Sequence, residues 1–189
     1  MKPYVLLCMA ALILISMPLF SNGVLIADGE DGNCFNLTSS LVSVQVEDQV
    51  AIVTTTQDFV NGFNWPIVPK YLFPLPEGAS ATMLRWRAND KWFTANFAPV
   101  PQDSLPPGPS EYWAYNILEY AGENPLYYNF EDLVAANASI RVELTYVMLL
   151  PYSMGSVNFS YPNNYSLIQS TPLTSIALNF SITSQRTIT

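Results

Sequence analysis

Tyr71-Leu72-Phe73-Pro74-Leu75-Pro76-Glu77-Gly78-Ala79 is an apolar run interrupted by two prolines, and the fold prediction starts from it. Its apolar residues occupy both alternating faces, which is typical of a strand buried on both sides. Pro74 and Pro76 each remove a backbone N–H donor, so the strand must lie at a sheet edge or end there. Gly78 then permits a backbone conformation that is closed to other residues. The stretch therefore predicts a buried strand entering a fixed corner, and it carries no group for catalysis.

The proline corner also carries a family resemblance. Together with Asp58-Phe59-Val60-Asn61 upstream, it resembles the signature of VIT domains, the vault protein inter-alpha-trypsin module. The patterns over 112–122 and 137–152 are similar to later parts of the same family, so the resemblance covers about residues 38–189. The residues that carry the signature are predicted to be structural: Tyr71, Phe73, Pro74, Leu75, Pro76, Glu77 and Gly78.

The resemblance implies a module that contacts other molecules and catalyses no reaction. In the family, a VIT module typically precedes a von Willebrand A domain, whose metal site uses an Asp-x-Ser-x-Ser motif. This sequence contains no such motif. We therefore expect either an isolated module or one part of a longer protein, and adhesion and metal binding are not carried over. No cofactor and no metal site are predicted.

The first residues are typical of an export signal. Lys2 precedes an apolar run over 4–20, and small residues follow it. This arrangement predicts a cleaved signal peptide and a secreted or cell-surface protein, although the run could instead remain as a membrane anchor. Cleavage is expected after residue 23, and residue 27 is the later alternative. The predicted organisation is a signal peptide over 1–23, a flexible acidic leader over 24–37 and a VIT-like domain over 38–189.

Composition excludes several functional classes. The chain has 189 residues, of which 12% are charged, and its formal net charge is −8. Loss of Lys2 with the leader makes the net charge −9, which argues against nucleic acid as a partner. One small basic cluster is either a solvated strand face or a patch for an acidic glycan or protein. Its members are Arg85, Arg87 and Lys91.

Catalytic chemistry finds little support in the residue types. The chain has no histidine, which removes Ser-His-Asp and Cys-His sites and histidine-bearing zinc sites. Cys34 is the one cysteine after the predicted signal peptide, and its role is left open. Because the chain contains Asp and Glu residues, a carboxylate-dependent glycan-processing enzyme remains an alternative. A membrane-tethered structural subunit is the other alternative.

Hydrophobic alternation predicts a mainly β fold. Strand patterns flank turn signals at Asp48-Gln49 and Asn89-Asp90, and the longest strand is expected over 139–150. Five prolines predict an exposed loop over 98–109, and Ser110 is a suitable N-cap for a helix ending at Gly122. Repeats of apolar alternation follow near Val157 and over 176–182. We therefore predict an antiparallel β-sandwich with one short helix.

Several Asn residues stand in Asn-x-Ser/Thr motifs, the acceptor sequence for N-glycosylation. They are Asn36, Asn137, Asn158, Asn164 and Asn179. We expect Asn158 and Asn179 to face solvent, because both fall on the polar phase of a strand pattern. The combined prediction is a secreted, non-enzymatic interaction or scaffolding module of VIT type, with an unknown protein or glycan partner.

Overall fold

Two sheets face each other across the hydrophobic core. The computed structural model describes residues 22–27, 33–95, 117, 119–161 and 163–185. The strands within these residues are β1 Val24–Ala27, β2 Asn36–Glu47, β3 Val50–Val60, β4 Pro69–Pro74, β5 Ser80–Ala88, β6 Lys91–Thr94, β7 Pro125–Asn129, β8 Ser139–Leu149, β9 Tyr152–Ser153, β10 Ser156–Val157 and β11 Ser175–Thr183.

The larger sheet has the strand order β11-β2-β3-β8-β5-β6. Its pairs are antiparallel except for β11, which lies parallel to β2. The β5–β6 turn has Asn89 and Asp90 at φ of 51° and 61°, the positive values that a two-residue hairpin requires. The predicted mainly β sandwich is therefore confirmed, with one parallel strand pair that the sequence did not indicate.

The turn between β2 and β3 sets which residues of β3 face the core. Glu47 pairs with Val50, so Val46 pairs with Ala51, and cross-strand partners share a face. Ala51 is therefore buried, whereas Val50 and Ile52 are 42% and 45% exposed. The alternation over Val50, Ile52 and Thr54 in the sequence correctly predicts a strand. These residues, however, lie on the outer face of the sheet and not on the face toward the core.

The smaller sheet has the order β1-β4-β7 and contains the proline corner. Strand β4 is its central strand and ends at Pro74, as the two prolines predict. Tyr71 and Phe73 are fully buried, and Leu72 is 2% exposed on the other face. Gly78 has a φ of +72°, which confirms the conformation expected of it. The strand is thus buried on both sides.

Aromatic side chains join the two sheets. The Phe73 ring lies 5.8 Å from that of Tyr146, and the Trp86 ring lies 4.4 Å from that of Phe130. On the opposite face of the smaller sheet, Leu72 packs with the helical residues Ile117 and 120–121. Gly122 follows them with a φ of +68°, in agreement with the predicted helix end. The core therefore lies on both sides of β4.

The segment after the predicted cleavage position differs from the expected flexible leader. Val24–Ala27 form β1, which pairs with β4 and is at most 5% exposed. Phe35 is also buried, at 2% exposure. The segment is part of the core because its apolar residues complete the sheet around the proline corner. The acidic residues at 28–32 lie outside the described residues.

The remaining predictions concern residues outside these two sheets. Residues 1–21 of the predicted signal peptide (1–23), the predicted proline-rich loop over 98–109 and the predicted helix start at Ser110 lie outside the described residues. The strand expected near Val157 is short, because β9 and β10 form only a two-residue pair around Met154-Gly155 and residues 158–161 are irregular.

Candidate functional site

The signature residues build the corner of the core. Pro74 is buried, and Leu75 and Pro76 are partly buried. Ala79 N–H donates to the Pro76 carbonyl at 3.0 Å and closes the turn that follows. Glu77 is exposed. Apart from the exposed Glu77 and the buried Tyr71 phenol, the signature contributes no titratable side chain, so we assign it a structural role.

A buried polar network links β2, β3 and β4 with Asn22 and Tyr120. Tyr71 Oη donates to Gln57 Oε1 at 3.1 Å, and Tyr120 Oη donates to the Asn22 carbonyl at 2.8 Å. Ser40 Oγ donates to Asn22 Oδ1 at 3.1 Å. Burial raises the pKa of Tyr71 and of Tyr120 well above the usual range, so both phenols stay protonated near neutral pH. Since these groups are neutral and shielded from solvent, the network is structural.

Carboxylates on the outer face of the larger sheet pair with arginines. Arg141 Nε donates to Asp58 Oδ1 at 2.7 Å, and its hydrogen bonds hold the pKa of Asp58 below the usual range. Glu143 pairs with Arg85. Among the described residues, no group of three or more His, Cys, Asp or Glu could hold a metal ion. These two carboxylates therefore act as ion-pair and hydrogen-bond partners of arginines.

The predicted basic cluster is largely neutralised by acids. Arg85 Nε donates to Glu143 Oε2 at 2.6 Å, and its guanidinium lies 4.6 Å from the centre of the Trp92 ring. Arg87 pairs with Asp90 at 2.9 Å. Lys91 is exposed at the start of β6. The cluster therefore resembles a solvated strand face more than a patch that could attract an acidic partner.

Cys34 lies beside β1 and is unsuited to nucleophilic chemistry. It forms an antiparallel bridge with Ile26. Burial raises the pKa of the Cys34 thiol to about 12, so the thiolate is scarce at neutral pH. Because the thiolate is the reactive form, we assign Cys34 a packing role.

All the glycosylation motifs present an exposed asparagine. The exposed residues are Asn36, Asn137, Asn158, Asn164 and Asn179. Asn164 Oδ1 accepts hydrogen bonds from the Ser166 amide at 3.1 Å and from its hydroxyl at 2.8 Å. The structure leaves each position accessible, and modification itself stays a prediction.

Strand β11 carries an exposed apolar surface. Its apolar side chains share one face and are 49–54% exposed; we call Ile176, Leu178, Phe180 and Ile182 the β11 strip. The strip lies beside Val42, Val44 and Val46, which are at most 8% exposed. Within the strip, the ring of Phe180 contacts that of Phe159, and the two ring centroids are 5.3 Å apart. The inner face of the sheet thus continues past the part that the smaller sheet covers.

The strip lacks the features that usually protect an exposed edge. Residues 175–183 contain no charged residue, proline or glycine. Within the described part of the chain, β11 is an edge strand of its sheet. Natural sheets normally protect such edges with charges, prolines or bulges, and a contiguous exposed apolar surface usually marks a contact site. The geometry therefore favours binding by a surface over chemistry in a pocket.

A cavity of 670 Å³ lies near one end of the strip, on the outer face. Its lining residues are Gln45, Val46, Glu47, Asp48, Gln49, Val50, Ile52, Ser181 and Thr183. Asp48 Oδ1 accepts hydrogen bonds from Ser184 Oγ and the Gln185 amide, both at 3.0 Å, and so ties the end of β11 to the β2–β3 turn. The lining is mixed, and its two carboxylate residues are Glu47 and Asp48.

Sequence reasoning recognised β11 as a strand but missed its exposure. The available signal was the absence of charge from residues 175–183, since a protected edge normally carries some. In the described part of the chain, no helix has the length and apolar character needed to cross a membrane.

Comparisons with known proteins support the family resemblance. The family model of the Vault protein inter-alpha-trypsin domain matches residues 37–100. A comparison with curated proteins finds no match. Among solved structures, one similar chain is a Legionella pneumophila protein described as a "putative nutrient binding protein", with 13% identity and a TM-score of 0.40. The match covers 71% of this chain and 46% of that one. The resemblance predicted from the proline corner is thus confirmed over residues 37–100, which match the VIT domain.

Proposed function

We propose that this protein is an extracytoplasmic, non-enzymatic scaffolding module of VIT type that associates with a second copy of itself through the β11 strip. The observation that carries the proposal is the strip itself: four apolar side chains on one face of an uncharged strand, each about half exposed. The predicted export signal supports the location, and the VIT match supports an interaction role.

The pattern of the strip is symmetric, and this symmetry favours a second copy as the partner. The strand is centred on Asn179, with apolar residues at equal distances on either side. A two-fold axis at this centre would place the strips of two copies face to face, with Ile176 opposite Ile182 and Leu178 opposite Phe180. Two-fold dimers are the commonest protein oligomers, and their interface uses the same patch twice.

The energetics favour a weak dimer. Covering the exposed half of a large apolar side chain contributes about 1 kcal/mol. Two copies present eight such side chains, and association itself costs at least about 4 kcal/mol. The balance is about 4 kcal/mol, which corresponds to a dissociation constant of about 1 mM. The formal net charge of −8 makes two copies repel each other, so added salt should strengthen the association.

Sedimentation equilibrium over a range of protein concentrations tests the proposal with a matched pair of variants. Leu178 in the strip and Leu133 in a loop are 49% and 53% exposed, so the same change is made at both. We expect Leu178→Glu to weaken dimerisation at least tenfold, because it places a charge in an apolar interface. Leu133→Glu should leave dimerisation unchanged.

Three outcomes would overturn this proposal. A wild-type chain that stays monomeric at about 1 mM would exclude self-association and leave the strip to a different protein. Equal weakening by both variants would show that the contact lies elsewhere. A dimer that weakens as salt is added would contradict an apolar interface between like-charged copies.

A further inference from the structure

Asn22 is an integral member of the core, although it precedes the predicted cleavage position. Its residue is 0% exposed. Its side-chain oxygen accepts hydrogen bonds from Ser40 Oγ at 3.1 Å and from Gln57 Nε2 at 3.4 Å. Its side-chain nitrogen donates to Asn163 Oδ1 at 2.6 Å, and its carbonyl accepts from Tyr120 Oη at 2.8 Å. Asn22 therefore satisfies polar groups from four different segments.

Gly23 is fitted to its position just as closely. Its N–H donates to Gln57 Oε1 at 3.1 Å. A Cβ atom at this position would lie 2.4 Å from the Tyr71 ring and 2.6 Å from Gln57 Oε1. Neighbouring side chains thus surround both sides of the Asn22-Gly23 pair, and they leave room only for glycine at the second position.

Cleavage after Gly23 would damage this arrangement. It would remove hydrogen-bond partners of Ser40, Gln57 and Tyr120, whose polar atoms lie in the core. It would also create a charged amino group at Val24, which is 5% exposed. Unpaired buried polar groups and buried charges are both costly.

Cleavage after Ala27 would remove all of β1. The smaller sheet would then lose the pairing of Val24–Ala27 with β4. The Phe35 amide would lose the Leu25 carbonyl, to which it donates at 2.8 Å. Each of the two cleavage positions expected from the sequence is therefore incompatible with the folded core.

We propose that the signal peptide is cleaved upstream of Asn22, so that Asn22-Gly23 and β1 remain in the mature domain. This inference rests on the extracytoplasmic location in the proposed function but does not depend on dimerisation. Signal peptides end after small residues, and Ser21 supplies one immediately before Asn22. The mature chain accordingly begins no later than Asn22.

N-terminal sequencing and intact mass of the full-length chain after export from a secreting host test this directly. We expect Asn22, or a residue shortly before it, at the N-terminus. A chain that begins at Val24 or Asp28 overturns the proposal. An uncut chain that retains Met1 also overturns it and supports the membrane-anchor alternative. None of these results depends on whether the protein dimerises.

A pair of asparagine variants gives a second readout. If Asn22 is retained, Asn22→Ala lowers the mass of the exported protein by one side-chain change and lowers its Tm by about 3–10 °C. Asn158→Ala at an exposed position is the control and should leave the Tm unchanged. If processing removes Asn22, the exported Asn22→Ala protein will have the mass and Tm of the wild type, which would contradict the proposal. Enzymatic removal of any N-glycan before measurement makes the masses comparable.

Discussion

Strands β8 and β11 have the same apolar alternation, but their apolar side chains differ in exposure to solvent. Ile140, Val142, Leu144 and Tyr146 on β8 are at most 1% exposed, whereas the β11 strip is about half exposed. Both sets of side chains belong to the same face of one six-stranded sheet. The difference shows that alternation determines which face of a strand is apolar, while the neighbouring layer determines whether that face is covered.

The covering layer explains the difference. Phe73 of β4 packs its ring against Tyr146 of β8, and the smaller sheet has three strands against six in the larger one. Strand β11 is at the end of the larger sheet, and among the described ring pairs its aromatic neighbour is Phe159. The three-stranded sheet therefore covers the centre of the six-stranded sheet and leaves the apolar face of β11 exposed.

The largest expected effect comes from truncating the same residue type in the two regions. Phe73→Ala should lower the free energy of unfolding by about 3–5 kcal/mol, because it leaves a cavity in the core. Phe180→Ala should lower it by about 1 kcal/mol, since half of its ring already contacts solvent. Urea unfolding of both variants at low protein concentration measures the two values. Similar losses for both variants would show that the strip is covered in the monomer and would contradict the difference in burial between the two regions.

A second contrast concerns asparagines. Asn61 is 0% exposed, and its side-chain nitrogen lies 3.0 Å from the Val134 carbonyl and 3.0 Å from the Trp65 carbonyl. Its side-chain oxygen accepts from the Phe63 amide at 3.0 Å. Asn61→Ala should therefore cost about 2–3 kcal/mol of unfolding free energy, because it leaves these backbone groups unpaired.

The control for this variant is Asn137→Gly, at an exposed residue with a φ of +58°. Glycine accepts this conformation readily, so the change should shift stability by less than about 1 kcal/mol. Thermal unfolding of both variants checks the pair. A loss for Asn61→Ala as small as that for the control would mean that water replaces the hydrogen bonds of Asn61.

The smallest expected effect is on the outer face, at the Asp58–Arg141 pair. Hydrogen bonds from Arg141 lower the pKa of Asp58, so the pair stabilises the fold above the unfolded-state pKa of about 4. That contribution is lost as the pH falls through the lower folded-state pKa. Both side chains are partly exposed, so Asp58→Asn should cost less than about 1 kcal/mol at pH 7.

Unfolding of the wild type and of Asp58→Asn between about pH 7 and pH 2 tests the sign of this effect. Their difference in stability should shrink as the pH falls below about 4. Arg141→Gln should reproduce the loss, and the double variant should add little. A difference that stays constant down to the lowest pH would attribute the loss to packing and not to charge.

Local signals predicted much of the fold. The prolines and Gly78 predicted the corner, Asn89-Asp90 predicted a hairpin, and the alternation from Ser139 predicted the long strand β8. Each of these features depends on residues that are near one another in the chain. Val24–Ala27 were missed because an apolar segment beside an export signal has the composition of either a leader or a core strand.

The candidate surface could be predicted only in part. The sequence indicated a strand over 176–182 and predicted interaction in place of catalysis, but it could not give the extent of the covering sheet. Its parallel pairing with β2 is a contact between distant segments, which alternation does not report. The pairing of Arg85 with Glu143 likewise joins two strands, so sequence spacing alone could not show that acids pair with much of the basic cluster.

The two-residue connection Asp48-Gln49 has a consequence for how this chain can change over evolutionary time. It fixes Glu47 opposite Val50 and thereby keeps Ala51 inside and Ile52 outside along the whole of β3. Addition or loss of a single codon there would invert every side chain of a central strand. The number of residues in this connection is therefore more tightly constrained than the identity of Gln49.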